Sequence, residues 1–122
     1  KPVVLLVDDR SRSAKEIFTW SFMKEKLGPA VGRTTEGAVL GSQFFPLSDG
    51  SCLLCPVVDG RMYTKGDKLE GKGVTPDHVV EFPLPYSNGF DEILEFGKDR
   101  LEIEVKRAKA KAAVAIVLKL AS

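Results

Sequence analysis

The sequence has no excess of charge of either sign. Lys and Arg number 18 and Asp and Glu 17 in 122 residues, a formal net charge of +1. Nucleic-acid surfaces draw on a clustered basic excess, so the composition gives no footprint for a nucleic-acid partner. Long hydrophobic runs are also missing. Residues 3–7 and 112–118 are the most apolar stretches, and both are too short to span a bilayer. The opening residues do not read as a secretory signal peptide. Histidine is nearly absent, with His78 alone. Internal repeats and low-complexity linkers are missing as well. The compartment stays open between the cell envelope and the cytoplasm.

Cysteine is scarce too. Cys52 and Cys55 have the Cys-x-x-Cys spacing of redox and zinc sites. Redox pairs of that kind sit at a helix N-terminus, which lowers the thiol pKa. Here the surrounding Ser51-Cys52-Leu53-Leu54-Cys55-Pro56-Val57-Val58 reads as a strand, where residues three apart point to opposite faces. Two thiols supply only half the ligands of a structural zinc site. Two unrelated free thiols are expected, and no metal or organic cofactor.

What remains is an ordinary globular composition, 43% apolar and 29% charged. The length suits one domain. Residues 3–7 form a continuous β-branched and Leu run, as in a strand buried on both faces. Because that strand opens so abruptly, the chain reads as cut from something longer. Asp8-Asp9-Arg10 breaks the run, and Ser11 or Ser13 starts a helix to about Lys26. Ser13 and Glu16 fit a capping box. Ala14, Ile17, Phe18, Phe22, Met23 and Leu27 recur at helical spacing and predict its buried face. Gly28-Pro29 stops it.

Residues 30–32 and 39–45 then read as strands. Ser48-Asp49-Gly50 reads as a turn, and residues 51–58 and 61–64 as strands joined at Asp59-Gly60. Residues 78–82 predict a short strand and residues 83–89 an irregular segment. From Asp91 the pattern turns helical, with a stripe at Leu94, Leu101, Val105, Ala108, Ala112 and Ala115. Residues 101–105 also alternate as a strand would. A helix from 91 to about 120 is long for this domain and needs something to pack on, such as another chain. The expected organisation is residues 1–90 and a C-terminal helical segment over 91–122.

A strand that runs through a tight turn into a Ser and a helix can expose a nucleophile. The helix start offers free N–H groups to a developing oxyanion. Alone this signal is weak, because Ser at a helix start most often serves as an N-cap. Three segments strengthen it. Val4-Leu5-Leu6-Val7-Asp8-Asp9-Arg10-Ser11-Arg12-Ser13-Ala14-Lys15-Glu16 resembles the nucleophile segment of the tail-specific, or carboxy-terminal processing, serine peptidases. Val31-Gly32-Arg33-Thr34-Thr35-Glu36-Gly37-Ala38 is similar to that family's Val-Gly-Glu-x-Thr-x-Gly segment. Glu70-Gly71-Lys72-Gly73-Val74-Thr75-Pro76-Asp77 is similar to its closing Gly-x-Gly-Val/Ile-x-Pro-Asp. Leu47-Ser48-Asp49-Gly50-Ser51 matches its hairpin turn. The resemblance covers residues 3–82.

One position departs. Ser–Lys members of the family carry their general base directly after the glycine matched by Gly37, and here that residue is Ala38. A methyl group takes no proton. Lys15 is a poor substitute, since i,i+2 residues on a helix do not face each other. The tricorn-like branch instead uses Ser, a Glu just ahead of the Gly-Val-x-Pro-Asp loop, and a His from the preceding half of the domain. Glu70 stands at that Glu.

The resemblance therefore implies Ser13 as nucleophile, the Ala14 backbone N–H as oxyanion donor, and Glu70 as the group that orients an upstream His. His78 matches no catalytic position. The implied fold is α/β, part of a ββα-spiral (crotonase-like) peptidase domain, the C-terminal half of the catalytic unit. Implied partners are a polypeptide substrate and the upstream half of the same domain, while the length of the C-terminal helix, and not the resemblance, leaves room for a homo-oligomer formed through it. The chain alone is expected to be inactive. A His-bridged pair requires about 6 to 9 Å between the Ser13 hydroxyl and the Glu70 carboxylate. Two non-catalytic alternatives stay open: a lipid- or ligand-binding module on the same fold, favoured by a large apolar cavity with Ser13 buried, and an assembly domain.

Overall fold

A computed structural model describes residues 1–81 and 89–120. Two sheets and two helices are built in chain order. Strand β1 (Leu5–Val7) leads into helix α1 (Ala14–Lys24), which returns the chain to strand β2 (Ala30–Gly32). Strands β3 (Gly41–Pro46) and β4 (Cys52–Val58) form a hairpin. Strand β5 (His78–Val79) and helix α2 (Glu92–Leu120) complete the set. β1, β2 and β5 make a parallel sheet in the order β1-β2-β5, with Leu6 beside Val31 and Val31 beside His78. The hairpin forms its own antiparallel pair, with Phe44 opposite Leu54. The result is a mixed α/β fold.

The parallel sheet exists because Ala30 and Val31 are fully buried at its centre. β1 differs from its sequence expectation. Only Val7 is buried, and Leu6 is 39% exposed, because β1 is an edge of the sheet among the described residues. Gly32 lies against Val7 so closely that a Cβ would sit 1.8 Å from the Val7 carbonyl oxygen. On β2 and β1, Ile93 and Gly97 of α2 pack against Gly32 and Leu6.

The buried face of α1 is only in part the one that its apolar residues suggest: Ile17, Phe22 and Met23 face inward as expected. Glu16 and Thr19 are buried with Phe22, whereas Phe18 and Leu27 are 57% and 61% exposed and Ala14 is exposed. Ile17, Trp20 and Met23 pack on a core of Val39, Leu69 and Val74. Those three core residues come from loops beyond β2, which a local periodicity does not register.

Residues 61–64 are not a strand. Asp59 caps a single 3-10 turn at Gly60–Met62 by accepting the Arg61 N–H, and Arg61 pairs back to Asp59. Gly60 lies under Val39, where a Cβ would have 2.9 Å to the Val39 side chain. β4 therefore pairs back to β3 across the turn at Ser48-Asp49-Gly50. Residues 101–105, open between strand and helix in the sequence, are helical. The short strand expected over residues 78–82 is observed at His78–Val79. The irregular segment expected at 83–89 lies almost wholly outside the described residues.

Candidate active site

The site forms at the carboxyl ends of β1 and β2, where parallel sheets commonly place their chemistry. β1 ends in a tight turn that its own side chains close. The Asp8 carboxylate accepts the Arg10 N–H and the Ser11 hydroxyl, and the Ser11 Oγ accepts the Asp8 N–H. The chain then passes through Ser13 at φ 59°, ψ −131° and enters α1. An L-residue rarely adopts that conformation, and holding it costs on the order of 1–3 kcal/mol. A sharp, strained strand-to-helix turn is how hydrolases of unrelated fold push a nucleophilic Ser out of the backbone. Ser13 is exposed. Its hydroxyl faces the Glu16 N–H in the capping-box arrangement but makes no cap hydrogen bond. The adjacent Ala14 is exposed, and among the described residues its N–H has no acceptor.

Glu16 holds this turn in place. Its side chain is fully buried, and its carboxylate accepts four hydrogen bonds. Oε1 accepts from the Thr35 hydroxyl and the Gly37 N–H, both at 2.6 Å. Oε2 accepts from the Ala38 N–H at 2.8 Å and the Ser13 N–H at 3.1 Å. A carboxylate inside the protein is tolerated only when its lone pairs are satisfied, and here they are. Glu16 was legible in the sequence only as a helix cap. Its larger role depends on the loop after β2, 20 residues away.

That loop is fastened in turn to the third motif segment. The Thr35 hydroxyl accepts the Val74 N–H, and the Thr35 N–H donates to the Val74 carbonyl. The Gly71 N–H donates to the Gly37 carbonyl at 2.8 Å. The two strands of loop approach so closely that a Cβ on Gly37 would lie 2.8 Å from the backbone nitrogens of Lys72 and Gly73. Both Gly37 and Gly73 have positive φ, at 79° and 71°. The Asp77 carboxylate, at the end of the segment, accepts the Ala30 N–H and anchors the start of β2.

Glu70 and Ser13 meet at the two sides of one peptide unit. The Ala38 carbonyl accepts the Ser13 N–H at 2.9 Å. The N–H of the same peptide, on Val39, donates to Glu70 Oε2 at 2.7 Å, and the Leu40 N–H joins it at 3.2 Å. Two hydrogen bonds and one trans peptide thus connect the Ser13 nitrogen to Glu70, a span that cannot exceed about 8 Å. Glu70 is half-buried. Its Oε1 accepts no hydrogen bond from the described residues.

Two other residues fall outside the constellation. His78 sits on β5, at the far edge of the sheet from β1, with its ring 5.8 Å from Phe96. Lys15 lines an apolar groove of about 360 Å³ with Leu5, Leu6, Ala14 and Phe18. Both thiols are free, with Cys52 exposed and Cys55 half-buried on β4. Ion pairs rim the site at Arg12–Glu36 (3.4 Å) and Arg33–Asp9 (3.0 Å).

The three segments that carry these contacts lie within a match of residues 1–80 to the model of peptidase family S41. The chain belongs to peptidase family S41. It is 32% identical over 112 residues to a tricorn-like protease C-terminal subunit of Sulfurisphaera tokodaii, covering 90% of this chain and 13% of that protein. It is 31% identical over 108 residues to a carboxy-terminal-processing protease of Bartonella bacilliformis, covering 87% and 24%. Among solved structures, tricorn protease superposes with a TM-score of 0.78 at 30% identity, over 86% of this chain and 10% of that one. A photosystem II D1 C-terminal processing protease follows at 0.54 and 27% identity, over 66% and 21%. The S41 chain thus spans less than a quarter of the length of each of these relatives.

Proposed function

We propose that the chain contributes the nucleophile half of a serine peptidase site, and that the catalytic His comes from a part of the protein outside these 122 residues. Ser13 attacks the scissile carbonyl of a polypeptide, and its proton passes to that His. The Ala14 N–H stabilises the oxyanion as the carbonyl becomes tetrahedral. Glu70 keeps Oε2 on the loop backbone and offers Oε1, directly or through a hydroxyl, to orient the imidazole and stabilise it once charged. As the tetrahedral species collapses, the His gives that proton to the leaving amine, and the acyl-Ser13 that remains is hydrolysed by water. Completion as a crotonase-like spiral follows from the same reading.

The observation that carries it is the single Ala38–Val39 peptide that joins Ser13 to Glu70. It keeps the Ser13 backbone and the Glu70 carboxylate near enough for one imidazole to serve both. Ala38 supports the choice of branch, since its methyl group cannot act as a base and its two backbone groups are occupied by Glu16 and Ser13. The exposure of Ser13 does not favour a lipid-binding cavity built around a buried serine.

The test is co-expression of the chain with the segment that precedes it in a full-length S41 relative, followed by labelling with a fluorophosphonate. Labelling that maps to Ser13, disappears in Ser13→Ala and is absent from the chain alone supports the proposal. Peptidase activity that survives Ser13→Ala overturns it.

A further inference from the structure

Helix α2 has 29 residues and is therefore about 43 Å long. Near its start it packs on β1 and β2 through Ile93 and Gly97, and Phe96 lies against His78 of β5. Beyond them the helix carries exposed apolar side chains, with Leu101 at 37% and Ile103 at 42%. Residues 106–113 are exposed throughout.

The sequence of this free part is organised in sevens. Leu94, Leu101 and Ala108 occupy one position of a heptad, and Lys98, Val105 and Ala112 the position four residues on. Together they draw one seam along the helix. The residues flanking that seam change sign along it. Glu95 and Glu102 are followed by Lys109 on one flank, and Glu104 by Lys111 on the other. Flanking charges of this kind set the orientation and register of paired helices.

We propose that α2 pairs antiparallel with α2 of a second copy of this chain, about a two-fold axis passing between Lys106 and Arg107. In that register Leu101 packs on Ala112 of the second copy, and Val105 on Ala108. The same register sets Glu102 beside Lys109 and Glu104 beside Lys111, so that seam and flanks specify one alignment. Glu104 already has partners on its own helix, Arg100 at 2.8 Å and Arg107 at 3.1 Å. Glu102 is freer, with Lys106 at 4.0 Å and both groups well exposed, and it carries more of the selectivity. Parallel pairing would stack Lys98 on its own copy, set the acidic blocks side by side, and align the helix dipoles. A closed two-fold contact is also the commonest way that a chain meets itself. The proposal is independent of the peptidase reading.

Sedimentation of the purified chain at concentrations up to about 1 mM tests it. The wild type is expected to dimerise. Lys109→Glu/Lys111→Glu and Glu102→Lys/Glu104→Lys are each expected to be monomeric, and their mixture to dimerise again. Circular dichroism checks that each remains folded, and Glu102→Lys alone replaces the second variant if it does not. A monomeric wild type, charge variants that dimerise like the wild type, or a mixture that stays monomeric each overturn the proposal. Orientation is read from a spin label at Ala113→Cys in a Cys52→Ser/Cys55→Ser background. Antiparallel pairing sets the two labels about 20 Å apart or more along the axis, whereas a separation near 10 Å marks parallel pairing and overturns it.

Discussion

Ser13 is held at φ 59°, a conformation that glycine reaches freely and that other residues adopt at a cost. The substitution Ser13→Gly should therefore raise stability by about 1 kcal/mol relative to Ser13→Ala in urea unfolding. Equal stability of the two would show that the turn stores no strain. Glu16 is the opposite case. Its carboxylate faces four donors and nothing else, so Glu16→Gln directs an amide NH₂ at N–H groups. A loss of about 2–4 kcal/mol is expected, read as a lower urea midpoint with an unchanged slope. A loss under about 0.5 kcal/mol would contradict the hydrogen-bond arrangement. The sequence marked Ser13, Ala14 and Glu70 through their neighbours. It could not mark Glu16 as the hub, because a Ser-x-x-Glu spacing already had a sufficient local explanation as a cap.

Among the elements, the segments with a backbone requirement were the legible ones. Gly37 and Gly73 sit where a side chain would strike the opposing loop, and the glycines in the two matching segments carry that constraint in plain view. The hairpin turn at Ser48-Asp49-Gly50 was equally plain. The segment after Asp59 was misread because Asp-Gly also suits a capped 3-10 turn, and only Val39 above Gly60 decides between them. Part of the buried face of α1 was hidden for a related reason. Glu16 is inside because the loop of residues 35–38 arrives there, and no helical periodicity records its arrival.

One contact between elements makes a pH prediction. Asp67 in the turn after residue 64 accepts from the Trp20 Nε1 at 2.9 Å and pairs with Lys24 at 3.0 Å, so it ties that turn to α1. The hydrogen bond from Lys24, then that from Trp20, lowers its pKa below the ordinary carboxylate value. A carboxylate with a lowered folded-state pKa contributes stability above its unfolded pKa and loses it as pH falls through the folded value. Asp67→Asn should thus lower Tm slightly at pH 7, and the difference from wild type should close as pH falls through the lowered pKa of the folded state. A difference that persists at low pH would assign the effect to packing.

At the scale of the molecule, the parallel sheet, the hairpin and α2 divide the labour. The sheet and the loops at its carboxyl ends hold Ser13 and Glu70. α2 packs on the sheet near its start and is exposed throughout residues 106–113. In a reconstituted enzyme, Glu70→Gln should lower kcat by about 10²–10⁴ with little change in KM, because orienting and charge-stabilising a His matters at the transition state and little in substrate binding. An equal loss in a variant altered only in the β3–β4 hairpin would remove Glu70 from its special place. The sequence was least informative at this scale. The proposed site draws on residues beyond the chain, so only its own half could stand in the pattern, and the proposed pairing of α2 reads locally as a solvated helix.

The fastening of residues 13–16, 35–40 and 70–74 to one another also bears on how such chains can be recombined. These three stretches should be exchanged as one unit, since a chimera that joins Glu16 from one relative to a foreign loop after β2 would put at risk the three hydrogen bonds from Thr35, Gly37 and Ala38 at once. The β3–β4 hairpin pairs with itself from Ser42 to Pro56, and among the described residues it gives that clasp no hydrogen bond. Exchanging or lengthening the hairpin in this chain should therefore leave the nucleophile turn in register.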